Sequence, residues 1–281
     1  MSDFELERSP EARELAENAL VRLLDALGER ALDLVVLGGL VPQLLTGQQG
    51  DETPAHLGTT DIDIHVTLVT GPGNDLSALE TALETIEAKP DPRIDGWRWL
   101  IPTDDTRVRI EFLCDLDDRP ANETIPLPGC HHLKAANLRG TGFVSRDWVA
   151  KEIERPTDGE TTVRLARFAG LEGYLMAKSY AVRSRGADKD YYDIVHVLLY
   201  NRAGGPEQAG LLLAGGKFAE DVKAARSIFR EVEARFTHTA AFGPQSYVEQ
   251  ALRVQPEADA AQLAQDAVSA IADFTAALER G

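Results

Sequence analysis

Leu34-Val35-Val36-Leu37-Gly38-Gly39-Leu40-Val41-Pro42-Gln43-Leu44-Leu45, followed further on by Gly58-Thr59-Thr60-Asp61-Ile62-Asp63-Ile64, decides how this chain is read. Leu34–Leu37 is a short apolar run of β-branched type, the pattern of a buried strand. The run from Leu40 reads as a helix start with Pro42 in its first turn. A strand, a glycine turn and a helix N-terminus turn backbone N–H groups toward a point where an anion such as phosphate can sit. In Asp61-Ile62-Asp63 the strand period of two puts both carboxylates on one face and Ile62 on the other. Adjacent carboxylates repel unless a positive group lies between them. A divalent cation is the usual answer, and Mg²⁺ favours carboxylate and phosphate oxygens.

A third carboxylate follows in Arg107-Val108-Arg109-Ile110-Glu111-Phe112-Leu113-Cys114-Asp115. Alternation places Arg107, Arg109, Glu111 and Leu113 on one face, with Val108, Ile110 and Phe112 on the other. A mid-strand carboxylate is costly to bury without a partner. Taken alone, Glu111 reads equally well as a solvent-facing residue flanked by arginines. The Asp61/Asp63 context favours a metal site made of Asp61, Asp63 and Glu111, with Glu111 either completing it or acting as general base.

These segments resemble the nucleotidyltransferase superfamily, whose pattern is a Gly-Gly or Gly-Ser turn, a short helix, an Asp-x-Asp strand and a third acidic residue on a later strand. A second block, Lys178-Ser179-Tyr180-Ala181-Val182-Arg183-Ser184-Arg185-Gly186-Ala187-Asp188-Lys189-Asp190-Tyr191-Tyr192-Asp193, is similar to the lysine and acidic motifs of AbiEii/AbiGii-type nucleotidyltransferases, which include MenT-like toxins. Lys178, Arg185, Lys189, Asp190 and Asp193 follow that pattern in order, and the resemblance covers residues 33 to 200. It implies an α+β chain: a nucleotidyltransferase-type mixed sheet with flanking helices over 1–160, then a mainly helical domain over 161–281 that completes the active site. It implies Mg²⁺, or Mn²⁺, bound with an NTP. It implies that Gly38, Gly39, Thr60, Lys178, Arg185 and Lys189 contact nucleotide, and that Lys178 holds the triphosphate. Asp193 would orient that lysine or lie near the acceptor. The implied acceptor is a tRNA 3′ end, in a toxin paired with an antitoxin; a protein or small-molecule hydroxyl is the other option. One position departs from the pattern. Many members carry Ser or Thr directly after the glycines, where this chain has Leu40, and Thr59 and Thr60 offer partial substitutes.

Composition bounds the rest. The chain has 281 residues, 43% hydrophobic and 27% charged, long enough for two domains with cores of their own. Cys114 and Cys130 have no metal-ligand spacing and read as reduced thiols of a cytoplasmic protein. Met1–Arg8 lacks the order of a signal peptide, and no apolar run reaches membrane-spanning length. A net charge of −17 argues against a general grip on nucleic acid, which needs a basic stripe. The middle of the chain is more basic, with Lys134, Arg139, Arg146, Lys151, Arg155, Arg164, Arg167, Lys178, Arg183 and Arg185. Singly these read as solvated residues; as a group they offer a wall for a short acceptor end.

The periodicity predicts a helix over 9–30, a strand over 33–37, a helix over 40–46, a strand over 61–69, a Gly-Pro-Gly turn at 71–73 and a helix over 75–88. Trp97–Ile101 and Arg107–Leu113 read as paired strands. The segment 119–160, broken by prolines, fits short strands, and Val163–Val182 and Asp188–Tyr200 read as helices. Gly204-Gly205 and Gly215-Gly216 read as helix stops. One ring of Tyr191-Tyr192 reads as core, His56 as a loop histidine, His196 as a packing residue, and His131-His132 as lacking a nucleophile. No Walker-A pattern is present. Two rival functions remain: a nucleotide binder without turnover, and an acidic surface that docks a basic partner.

Overall fold

The Ser9 hydroxyl accepts from the Ala12 N–H at 3.1 Å and caps α1, Pro10–Leu27. Pro10 sits where its missing N–H costs nothing. Helix α1 ends at Gly28 and buries Ala12, Ala16, Ala19, Leu20, Leu23 and Leu24 along one stripe. This computed structural model describes residues 7–47, 53–68, 75–104, 106–157 and 160–280. The Gly-Pro-Gly turn expected at 71–73 lies outside them.

By internal contacts the chain forms two units. The first comprises Met1–Val41 and Gly58–Gly170, and the second Pro42–Leu57 and Leu171–Gly281. The first is built on a mixed sheet. Its strands are β1 (Leu34–Leu37), β2 (Asp61–Val66), β3 (Lys89–Pro90), β4 (Arg98–Pro102), β5 (Arg107–Cys114), β6 (Thr124–Pro126), β7 (Lys134–Asn137), β8 (Trp148–Thr157) and β9 (Glu160–Ala169). The main order is β3-β4-β5-β2-β1-β9-β8, with β7 also paired to β5 and β6 to β7. β1 runs antiparallel to β2, and β2 parallel to β5. Ile62, Ile64, Val108, Ile110 and Phe112 are fully buried on one face of β2 and β5. That apolar face fixes the register of both strands and so fixes which residues stand on the other face. Helix α2, Pro42–Leu45, belongs to the second unit, and helix α3, Ser77–Thr85, to the first.

Two readings need correction. The helix expected over Val163–Val182 is a strand, a break at Gly170 and then α4, Leu171–Ser184. β9 pairs with β8 along its whole length and with β1 at Val35 and Val36, so sheet pairing overrides the helix-forming Leu, Ala and Arg in Arg164–Ala169. The helix expected over 40–46 is a single turn: a 3₁₀ turn, Gly38–Leu40, precedes the four-residue α2.

The second unit continues from α4 with α5 (Asp188–Tyr200), α6 (Pro206–Gly215), α7 (Ala219–Ala224), α8 (Arg226–Glu233), α9 (Phe242–Leu252) and α10 (Ala260–Arg280). The C-terminal region is therefore helical. Gly210 lets α6 and α10 approach closely: a Cβ there would meet the Ala277 Cβ and the Phe274 carbonyl oxygen, each at 2.6 Å. Segment 42–57 is tied in by backbone bonds from Gly47 N–H to the Tyr200 carbonyl and from Arg202 N–H to the Leu45 carbonyl. Cys114 and Cys130 are free thiols. Among the described residues no helix is long and apolar enough to cross a membrane.

Candidate functional site

In the first unit the site residues converge where β1 meets the glycine turn. Gly38 adopts φ +73°, a conformation open to glycine at little cost. A Cβ on Gly38 would lie 1.8 Å from Asp63 Oδ2, so the Asp63 carboxylate occupies the space that the missing side chain leaves. Gly39 is packed the same way against Thr59, whose Oγ1 would be 2.5 Å from an added Cβ. The two glycines thus serve close approach as well as the turn. Because α2 is one turn long, no extended helix dipole stands behind this turn. What the turn offers an anion is its own backbone N–H groups.

Asp61 and Asp63 stand on the same face of β2, as the period of two requires. The parallel register sets Asp61 beside Arg109 and Asp63 beside Glu111. Asp61 is buried, and its Oδ1 accepts from the Thr59 hydroxyl at 2.6 Å. Thr60 Oγ1 accepts from the Arg109 guanidinium at 3.1 Å. Thr59 and Thr60, the partial substitutes for a hydroxyl at Leu40, are therefore both engaged within the site, and Leu40 itself is buried in the core. His65 follows on the same strand face. Burial pushes its pKa down to about 4, so its imidazole is neutral at pH 7 and adds no positive charge beside Asp63.

Glu111 has a partner the sequence reading did not include. Arg98, directly opposite on β4, donates through Nε at 2.8 Å to Glu111 Oε1, and its terminal nitrogen lies 2.7 Å from the same oxygen as an ion pair. Arg98 also lies 3.7 Å from Asp91 Oδ2. Asp91 is buried; two side-chain bonds from Arg93, opposed by burial, hold its carboxyl below the usual range. Among the described residues, no group of three or more His, Cys, Asp or Glu side chains is gathered as a metal cage. The Asp61/Asp63 pair nonetheless suits a hard cation, because Mg²⁺ is commonly held by one or two carboxylates, with waters and substrate phosphates as its other ligands. The signal for Arg98 was in the sequence. A hairpin closing between Pro102 and Arg107 fixes a register that places 98 opposite 111.

In the second unit the lysine and acidic motifs form a buried network. Lys178 Nζ donates to Asp190 Oδ1 at 3.1 Å and to Asp193 Oδ2 at 2.8 Å. Arg185 forks onto Asp190 with bonds of 2.7 and 2.8 Å. The other oxygen of Asp193 is 3.0 Å from His56 Nε2. His56 lies in a loop, as expected, and is a buried member of this network with ring contacts to Tyr192 and His196. Tyr191 and Tyr192 are both 1% exposed, which removes either ring as a stacking surface. Burial would raise the Asp190 pKa; Lys178 and Arg185 outweigh it and bring the value to about 2. Lys189 is half-buried on the first turn of α5. No local pattern announces His56, because its partners lie on α5 far along the chain.

No family model matches this sequence, and no curated protein matches it. A solved protein from H. pylori, described as a candidate nucleotidyltransferase, aligns with 97% of this chain and 98% of its own at 13% identity and a TM-score of 0.42.

Proposed function

We propose that this protein is a divalent-cation-dependent nucleotidyltransferase that moves a nucleoside monophosphate from an NTP to an acceptor hydroxyl. The observation that carries the reading is the contact between Gly38 and Asp63. A positive-φ glycine at the end of a buried strand makes room for one of two carboxylates on a neighbouring strand, so anion-facing N–H groups and cation-binding oxygens adjoin. Asp61 and Asp63 would hold Mg²⁺ or Mn²⁺. When bound, such a cation neutralises charge on the triphosphate oxygens. Backbone N–H groups of the Gly38-Gly39 turn would face the phosphates, and Arg109 adds positive charge on the same strand face as Asp61. The reaction forms a bond from the acceptor oxygen to the α-phosphorus and breaks the bond to pyrophosphate. The hydroxyl proton passes to a carboxylate of this face or to water. Positioning and charge neutralisation suffice for such chemistry.

A tRNA 3′ end as acceptor, and a toxin's role, rest on the likeness of Lys178, Arg185, Lys189, Asp190 and Asp193 to the AbiEii-type motifs. A net charge of −17 is compatible with a short acceptor end and poorly suited to long nucleic acid. A nucleotide binder without turnover is the second reading, favoured by Leu40 and by the engagement of both threonine hydroxyls.

The test is incubation with total tRNA, Mg²⁺ and each α-labelled NTP in turn, beside the D61A/D63A double variant. Label on tRNA that disappears in the double variant supports the proposal in full. Label that persists in the double variant refutes the assigned residues. Tight NTP binding with no transfer to tRNA, protein or small-molecule hydroxyls selects the second reading.

A further inference from the structure

We propose that this carboxylate face holds a single divalent cation, on Asp61 and Asp63, and that Arg98 takes the place of a second by holding Glu111 out of the metal shell; this rests on the reading of Asp61 and Asp63 given above. One row of the sheet runs Leu37, Asp63, Glu111, Arg98 across β1, β2, β5 and β4. Three carboxylates would otherwise share this corner. A third one needs compensation as much as the first two, and Arg98 provides it through a hydrogen bond and an ion-pair contact to one oxygen, Oε1.

The arginine is held on both sides. Its side chain is 20% exposed, with the Glu111 carboxylate, itself 13% exposed, on one side. On the other is Asp91, whose own position is fixed by Arg93 and whose carboxyl stays ionised. The Trp97 ring lies 5.0 Å from the guanidinium carbon. For Glu111 to ligate a cation, it would have to do so through Oε2 with the Arg98 guanidinium held on Oε1, so that a full positive charge stands beside the dication. Guanidinium does not lose its proton in proteins, so that repulsion cannot be relieved by titration. The remaining pair, Asp61 and Asp63, is the donor set for one cation completed by phosphate oxygens and water.

Mn²⁺ binding followed by electron paramagnetic resonance, with each common NTP supplied as its non-hydrolysable α,β-methylene analogue, tests this without reading activity. The expected result is one bound Mn²⁺ per chain in the wild type. E111Q should retain it with an affinity change well below the roughly tenfold that loss of even an outer-shell partner brings. R98M, which frees Glu111, should tighten Mn²⁺ or admit a second ion. The double variant R98M/E111M removes both charges together and should still bind one; it keeps the test open if E111Q does not fold. Two ions in the wild type, or a tenfold or greater weakening in E111Q, would overturn the proposal while leaving the two-aspartate site intact. Loss of Mn²⁺ in D61N is expected; unchanged binding there sinks the metal reading itself and this inference with it.

Discussion

Replacing Asp190 with Asn isolates one carboxylate at the centre of the buried network in the second unit. Asp190 is fully buried and takes one bond from Lys178 and two from Arg185. Its pKa falls from 3.8 to about 2: burial opposes the shift, and Lys178 and Arg185 drive it. Because the folded value is the lower one, the carboxylate stabilises the fold above the unfolded pKa, and that stabilisation disappears as pH falls through the folded pKa. Nearly two units at about 1.4 kcal/mol each amount to about 2–3 kcal/mol at neutral pH. Between about pH 5 and about pH 3 roughly 1 kcal/mol of this should be lost, and the rest by about pH 1. Urea unfolding of wild type and D190N across that range reads it directly, since other carboxylates titrate in both and cancel in the difference. D190N should be less stable by about 2–3 kcal/mol at pH 7, with a gap that narrows on acidification. A gap constant from pH 7 to pH 3 would refute the reasoning, because the charge of Asp190 would then contribute nothing that Asn does not.

Other substitutions follow from single contacts. G38A should destabilise by about 1–3 kcal/mol in thermal unfolding, since φ +73° suits glycine and the Cβ would strike Asp63; it should also abolish NTP binding by calorimetry, and retained binding would count against the turn's assigned role. H56A removes the ring beside Asp193 Oδ1 and should cost about 1–3 kcal/mol in chemical denaturation; H56N should recover part of it. E80Q should cost about 1–3 kcal/mol in thermal unfolding, because the Glu80 carboxylate accepts the N–H groups of His131, His132 and Leu133, two of them at 2.6 Å. A change within experimental error would mean that this loop is held by other groups.

The first unit was legible where one residue's chemistry settled its neighbours' places. Alternation in Asp61–Ile64 and Arg107–Leu113 assigned the two faces of β2 and β5, since Ile62, Ile110 and Phe112 must all lie on the apolar one. The glycine turn was legible for the same local reason. β9 was not: Leu165, Ala166 and Arg167 suit a helix, and only pairing to β8 and β1 makes them a strand. His56 was illegible because a hydrogen bond across 137 positions leaves no periodic trace. That Asp193 orients Lys178 was an expectation from the motif resemblance alone. That Asp190, a member of the same motif, also bonds Lys178 emerged only once α4 and α5 were packed.

The two charged clusters of this chain solve the same electrostatic problem differently, and the difference bears on which can act on a ligand. In the second unit Lys178 has two carboxylate partners, and Asp190 is further matched by Arg185. Buried ion networks of this kind gain from completeness, because a missing partner leaves an uncompensated charge. Such a network resists rearrangement and suits positioning. In the first unit Asp61 and Asp63 stand together on one strand face, with the Thr59 hydroxyl on one oxygen of Asp61 and the Asp63 carboxylate set against a glycine. Arg98 gives Glu111 a full opposite charge, whereas the Thr59 hydroxyl brings Asp61 a neutral donor. Under the proposed function Asp61 and Asp63 are therefore the carboxylates a cation would join, and Glu111 is the one already matched by arginine.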